Sequence, residues 1–205
     1  MKIVIPARYA STRLPGKPLL PIAGRPMLQY VYQRACLSQA EEVVIATDDE
    51  RIARAADGFS ARVCMTSSSH ASGTDRIAEV IVIMGWKEDE ILVNLLGDEP
   101  LMPVSLLDQV AQDLARHAEA DTATLAAHLE HPDQVFDPNV VKVVLDKKGY
   151  ALYFSRSPIP WKRGEIYWAD PVSPHMTSGF NRHVGLYAYR AGFVREYVGL
   201  SLIHI

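Results

Sequence analysis

The chain has 205 residues, 48% of them hydrophobic and 22% charged, with a formal net charge of −3. That length supports one substantial core, and the composition is that of an ordinary globular protein. The slight acidic balance argues against a general nucleic-acid binder, whose domains are usually basic overall. No apolar run reaches the roughly 20 residues of a membrane-spanning helix, and no charged-then-apolar leader pattern opens the chain. The expectation is a cytoplasmic protein. Its two cysteines, Cys36 and Cys64, are expected as buried free thiols.

Ile3-Val4-Ile5 reads as a short buried strand. It runs straight into Pro6-Ala7-Arg8-Tyr9-Ala10-Ser11-Thr12-Arg13-Leu14-Pro15-Gly16-Lys17-Pro18-Leu19. Arg8, Arg13 and Lys17 meet no acidic residue in sequence before Glu41. The prolines stiffen this loop, and Gly16 allows its backbone to approach a ligand closely. A cationic, hydroxyl-bearing loop at the carboxyl end of a buried strand lies where open α/β sheets bind ligands, and its chemistry suits a polyphosphate. It lacks the G-x-x-x-x-G-K-[ST] spacing, so it is not a Walker-type loop.

A helical pattern follows from Pro26 to Leu37, with Pro26 suited to its first turn. Glu42 to Ala46 is a second strand. It ends at Thr47-Asp48-Asp49, where either aspartate can cap a helix running to Ala56. A third strand from Ala61 to Met65 leads through a polar loop to a helix from Asp75 to Met84. A fourth strand, Glu90 to Asn94, ends in Gly97-Asp98-Glu99-Pro100. Val104 to His117 is helical, and Thr122 to Ala127 is a fifth strand. This alternation predicts a largely parallel, doubly wound α/β sheet. After about Pro132 the pattern becomes antiparallel. Strands at 140–145 and 150–154 flank Lys147-Lys148-Gly149, a proline-rich connection spans Ser155 to Pro174, and another strand lies at 184–189. Residues from about 131 to 190 read as an antiparallel extension serving as a lid, a dimer contact or both.

Parallel strands gather their carboxyl ends at one edge, so four loops are expected to converge. Asp98 beside the cationic loop is the arrangement that holds Mg²⁺ against phosphate oxygens, although an aspartate there can equally serve a turn or cap. Ser72-Gly73-Thr74 is either an N-cap box or a cradle for a base or ribose. His70 and His183 lack partners at metal-ligand spacing and read as hydrogen-bonding residues, not zinc ligands.

Taken together, residues 5–19, Ala46-Thr47-Asp48, Cys64-Met65-Thr66, Ser72-Gly73-Thr74-Asp75-Arg76, Gly97-Asp98-Glu99-Pro100, the 141–145 and 151–156 runs and His183-Val184-Gly185-Leu186-Tyr187 resemble the CMP-Kdo synthetases, the 3-deoxy-manno-octulosonate cytidylyltransferases. The resemblance spans residues 1–199. It implies a Rossmann-like nucleotidyltransferase sheet with an antiparallel extension, in one domain. It also implies transfer of CMP from CTP to the anomeric hydroxyl of Kdo, with Mg²⁺ as cofactor and pyrophosphate as product, for lipopolysaccharide assembly. The antiparallel segment from about Val140 to Tyr189 separately suggests a homodimer, though a lid serves equally well, and no nucleic-acid or membrane partner is expected. Carried over residue by residue, Ala7, Arg8, Ser11, Arg13 and Lys17 would hold the nucleotide, with Ser72, Gly73 and Arg76 around its base and ribose. Arg8, Lys17 and Asp98 would be catalytic, Asp98 as the metal ligand, and Arg156, His183 and Tyr187 would line the sugar pocket.

The chain departs from that family at two places. Leu96 stands where such sequences carry glutamine, and leucine makes no hydrogen bond. The family-like text ends near Gly199, short of a second metal-binding aspartate. The expectation is therefore a weakly active or inactive fragment with a non-native tail at 200–205. A CMP-sialic acid synthetase-like enzyme and a non-catalytic nucleotide-binding fragment are the alternatives.

Overall fold

The computed structural model describes residues 1–10, 14–161 and 177–200. In chain order the elements are β1 (Lys2–Pro6), a 3-10 turn (Lys17–Leu19), β2 (Pro21–Ile22), β3 (Arg25–Pro26), α1 (Met27–Cys36), β4 (Glu42–Thr47), α2 (Glu50–Asp57), β5 (Arg62–Met65), α3 (Gly73–Met84), β6 (Ile91–Asn94), α4 (Val104–Arg116), β7 (Thr122–His128), α5 (Asp133–Phe136), β8 (Lys142–Leu145), β9 (Ala151–Ser155), β10 (Asn181–Arg190) and α6 (Ala191–Tyr197). They form two compact units: Met1–Ala123 with the residues from Leu186 onward, and Thr124–Gly185.

The first unit is built on the parallel order β5-β4-β1-β6. Its central strands are covered on both faces, so they read as continuous apolar runs and not as alternation. Ile3, Val4 and Ile5 of β1 and Val44, Ile45 and Ala46 of β4 are all fully buried. The helices present apolar residues at helical spacing: Met27, Leu28, Val31 and Ala35 on α1, and Leu107, Val110, Ala111 and Leu114 on α4. Ile77, Val80 and Ile81 of α3 pack with Trp86, Leu92 and Val194.

Three sequence expectations change here. Pro26 is the N-cap of α1, not part of its first turn, because it closes a small ribbon in which Ile22 pairs with Arg25. The ribbon turns at Ala23 and Gly24, both at positive φ (47° and 81°), a geometry usually signalled by Asn-Gly. Second, the place beside β6 belongs to the end of β10, which runs antiparallel with Tyr187 opposite Asn94 and Arg190 opposite Ile91. The expected fifth strand, β7, pairs with β10 instead. Arg190 secures this arrangement: its guanidinium donates to the carbonyl of Leu114 in the last turn of α4 and to those of His117 and Ala120 just past it. Third, both cysteines are free as expected, but Cys36 is exposed at the end of α1.

In the second unit β8 and β9 form the anticipated hairpin, with a register shift at Val144/Leu145. Asp146 Oδ1 accepts from the amides of Lys148 and Tyr150, both at 2.8 Å, and Gly149 supplies φ 90° to the turn. The start of β10 pairs with β8, Asn181 opposite Val143. Helix α5 was not anticipated. Val135 on it forms a small core with Leu129 and Phe180. The proline-rich connection lies largely outside the described residues. Among the described residues no helix is long and apolar enough to cross a membrane.

Candidate functional site

The loops after β1 and β6 meet at the carboxyl edge of the parallel strands. Lys17 Nζ lies 2.6 Å from Asp98 Oδ2, and their side chains are 38% and 43% exposed. Lys17 is aimed by the 3-10 turn that follows Gly16, itself in the left-handed region at φ 72°. Asp98 is aimed by Gly97. A Cβ there would stand 3.1 Å from the Pro6 carbonyl oxygen, so only glycine lets the β6 loop press so closely on the start of the basic loop. Ala7, 1% exposed, forms the floor, its amide donating to the Ala46 carbonyl at 2.9 Å.

The loop before α3 joins this edge. Arg8 Nη1 donates to the Ala71 carbonyl at 3.2 Å, while Nη2 is buried with no partner among the described residues. Buried donors are nearly always satisfied, so an unpaired guanidinium nitrogen in a cationic loop is suited to a bound anion. A Cβ on Gly73 would lie 3.8 Å from the Pro6 ring. Ser72 is the reciprocal capping box that the sequence allowed. Its hydroxyl accepts from the Asp75 amide and donates to the Asp75 carboxylate, whose pKa is lowered by that bond. His70 pairs with Glu79 of α3 at 2.5 Å, and Glu79 also accepts from the Ser67 amide at 2.8 Å, fastening the loop to the helix.

Arg76, expected around the base and ribose, packs inward. It is fully buried, with Nη2 at 3.1 Å from Asp48 Oδ1 and Nη1 bonded to the Thr66 hydroxyl. Thr66 in turn bonds the Thr47 carbonyl through its amide (2.9 Å) and hydroxyl (3.1 Å). The guanidinium thus ties together the segments that follow β4 and β5. Burial decides this, and a one-dimensional pattern does not reveal it.

Sequence reasoning also missed a clamp on the basic loop. The Arg51 guanidinium sits 3.3 Å above the Tyr9 ring while binding Asp49 through Nε (2.9 Å) and Nη2 (2.6 Å). The Tyr9 ring lies against Gly16, whose amide donates to the Tyr9 carbonyl at 2.8 Å. The available signal was the aromatic at position 9, in a loop read for its charge, hydroxyls, prolines and glycine. Ser11 and Arg13 lie outside the described residues.

In the second unit, Arg156 Nη1 donates to the Pro138 carbonyl at 2.5 Å. His183 Nε2 is 2.9 Å from the Thr124 hydroxyl, and its ring meets Phe154 edge-on at 5.1 Å. Burial pulls the His183 pKa below its ordinary value, so the ring is neutral at pH 7. Tyr187, in the first unit, stacks on Tyr189 with centroids 5.7 Å apart. Burial raises both phenols, Tyr189 to about 12.

Among the described residues no group of three or more His, Cys, Asp or Glu side chains is placed to hold a metal. Asp98 therefore offers one carboxylate beside a cation-lined edge. That donor set fits Mg²⁺ arriving with a polyphosphate, since Mg²⁺ commonly takes one or two carboxylates plus substrate oxygens and water. Leu96, 40% exposed, supplies an apolar side chain just before Gly97.

A cationic loop and a strand-end carboxylate on a mostly parallel sheet define a nucleotidyltransferase-type site. The cytidylyltransferase family profile matches residues 2–204. The 3-deoxy-manno-octulosonate cytidylyltransferase of Thioalkalivibrio sulfidiphilus strain HL-EbGR7 is 56% identical over 200 residues, covering 98% of this chain and 79% of that protein. The enzyme of the same name from Vibrio vulnificus strain YJ016 is 54% identical over 196 residues, covering 96% and 76%. A CMP:2-keto-3-deoxy-manno-octonic acid synthetase solved with CTP superposes with a TM-score of 0.86 at 40% identity, covering 97% of this chain and 77% of that one. A 4-diphosphocytidyl-2C-methyl-D-erythritol synthase, at 12% identity and TM-score 0.61, shares the fold. The chain belongs to the cytidylyltransferases and, within them, to the 3-deoxy-manno-octulosonate cytidylyltransferase family.

Proposed function

We propose that the protein transfers CMP from CTP to the anomeric hydroxyl of 3-deoxy-manno-octulosonate, releasing pyrophosphate. The observation that carries this reading is the approach of Lys17 to Asp98, which sets a phosphate-binding cation and a metal-binding carboxylate within one bond of each other. Arg8, with its unpaired Nη2, and Lys17 balance the triphosphate charge and hold it for in-line attack. The sugar hydroxyl oxygen, its proton passing to solvent, forms the new bond to the α-phosphorus as the bond to the bridging pyrophosphate oxygen breaks. Negative charge then gathers on the leaving group, where Lys17 is poised to meet it. Positioning and fixed charge do most of this work. Asp98 would hold Mg²⁺, which when bound to phosphate oxygens supplies further charge neutralisation.

The acceptor is an acid, so its site needs positive charge and neutral hydrogen-bonding groups. Within the second unit Arg156 supplies the first, and neutral His183 supplies the second. The exposed apolar run Leu152-Tyr153-Phe154 on β9 supports a homodimer, and dependence on CTP supports a cytoplasmic location. The test is pyrophosphate release by the purified chain with CTP and Mg²⁺. Release that requires 3-deoxy-manno-octulosonate and is absent with neutral hexoses, even at the low rate expected of this chain, is the expected result. Release independent of any acidic sugar, or CTP binding without turnover, overturns the reading.

A further inference from the structure

Lys142 is a fully buried lysine that the reaction does not use directly. Its ammonium donates to two carbonyls, Val140 at 2.7 Å and Asp137 at 3.0 Å. These residues are the two ends of one tight turn, closed by the Val140 amide bonding to the Asp137 carbonyl at 3.1 Å. The Asp137 side chain completes it by accepting from the Asn139 amide at 2.8 Å. At the apex of the same turn, the Pro138 carbonyl receives Arg156 Nη1 at 2.5 Å. Arg156 is otherwise an exposed side chain on the strand end after β9. Two cations therefore grip one four-residue turn, the buried one at its ends and the exposed one at its tip.

Burying an ammonium is costly unless its hydrogen bonds are made, and a core position of this size is more cheaply filled by methionine or leucine. Desolvation lowers the Lys142 pKa; the Asp137 charge opposes that shift and the Arg156 charge adds to it. The charge of Arg156 is thus felt at Lys142, although the two side chains share no bond. Such an arrangement is retained where the geometry it imposes matters. What it fixes is the direction of the Pro138 carbonyl, and with it one edge of the Arg156 guanidinium.

We infer that Lys142 is a positioning residue for recognition of the acceptor's carboxylate: it locks the Asp137–Val140 turn so that Pro138 holds Arg156 with its remaining N–H groups, unpaired among the described residues, turned to a planar anion. This rests on the reading of Arg156 as the group that meets the acidic sugar. A guanidinium tethered at one nitrogen keeps its fork oriented, so less freedom is lost when the carboxylate docks.

Calorimetric binding of 3-deoxy-manno-octulosonate, with CTP present and divalent ions chelated to prevent turnover, separates the two claims; CTP affinity is measured alongside. R156A should weaken sugar binding about tenfold or more, the scale of one charge-assisted hydrogen bond. K142M should weaken it about fivefold or more while CTP affinity stays within about twofold, and K142M/R156A should bind no more weakly than R156A alone. K142Q, which keeps one amide donor for the turn, should fall between wild type and K142M, and it decides the matter if K142M does not fold. Unchanged sugar binding in R156A removes the underlying reading of Arg156, and this inference with it. A tenfold loss in R156A beside unchanged binding in the lysine variants overturns the inference alone. Equal losses for sugar and CTP in the lysine variants also overturn it, since that is what a merely structural lysine would do.

Discussion

Lys17 and Asp98 are 81 positions apart in sequence and 2.6 Å apart in space. Each side chain is more than a third exposed, and pairs of that kind contribute only about 0–1 kcal/mol to stability. The juxtaposition is therefore not explained by folding. Two glycines with tightly restricted surroundings, Gly16 and Gly97, aim the chains that bear it.

K17M and D98N should leave the thermal midpoint within a few degrees of wild type, because each removes a weak surface pair. Pyrophosphate release should fall by about 100-fold or more in each, the scale of losing one fixed charge or donor at a transition state. Scanning calorimetry beside a turnover assay checks both halves. A variant that unfolds early but turns over normally would contradict the assignment.

Arg76 should behave in the opposite way. R76M removes a buried cation from Asp48 and Thr66 and costs about 3 kcal/mol, the lower end for breaking a buried pair because Asp48 is partly hydrated. Urea denaturation should show the loss as a lower midpoint. CTP affinity should drop only insofar as the loops beneath the nucleotide loosen, and saturating CTP should recover part of the stability.

His183 sets a pH dependence of known sign. Its folded-state pKa is lowered by burial from 6.5, so below pH 6.5 the unfolded chain binds the proton more readily than the folded one. Stability is full above that pH and declines as pH falls toward the folded-state pKa. H183Q should flatten thermal midpoints measured between pH 7.5 and 5.5, keeping a polar group near Thr124 without the titration.

The parallel half of the fold was legible because its strands are continuous apolar runs punctuated by helices of regular spacing. The Ser72–Asp75 cap was legible because it is local. Lys17 and Asp98 could be paired in advance because parallel strands must end at a common edge. What escaped notice depended on distant partners. Nothing in Val184 to Tyr189 says that β10 will take the place beside β6. Arg76 looks like any cation on an amphipathic helix until burial shows it facing inward. The Ala23-Gly24 turn uses an alanine at positive φ, against the usual residue preference, so residue type gave no sign of it. Arg51 and Tyr9 belong to different elements, so only their stacking reveals that they act together.

That stacking has a consequence for solution behaviour. Arg51 is 53% exposed where it binds Asp49, so dissolved ions can compete for it. The basic loop after β1 is thereby tethered to a brine-sensitive anchor at the start of α2. Nucleotide affinity in this protein should decline with added electrolyte more steeply than the direct phosphate contacts alone would dictate.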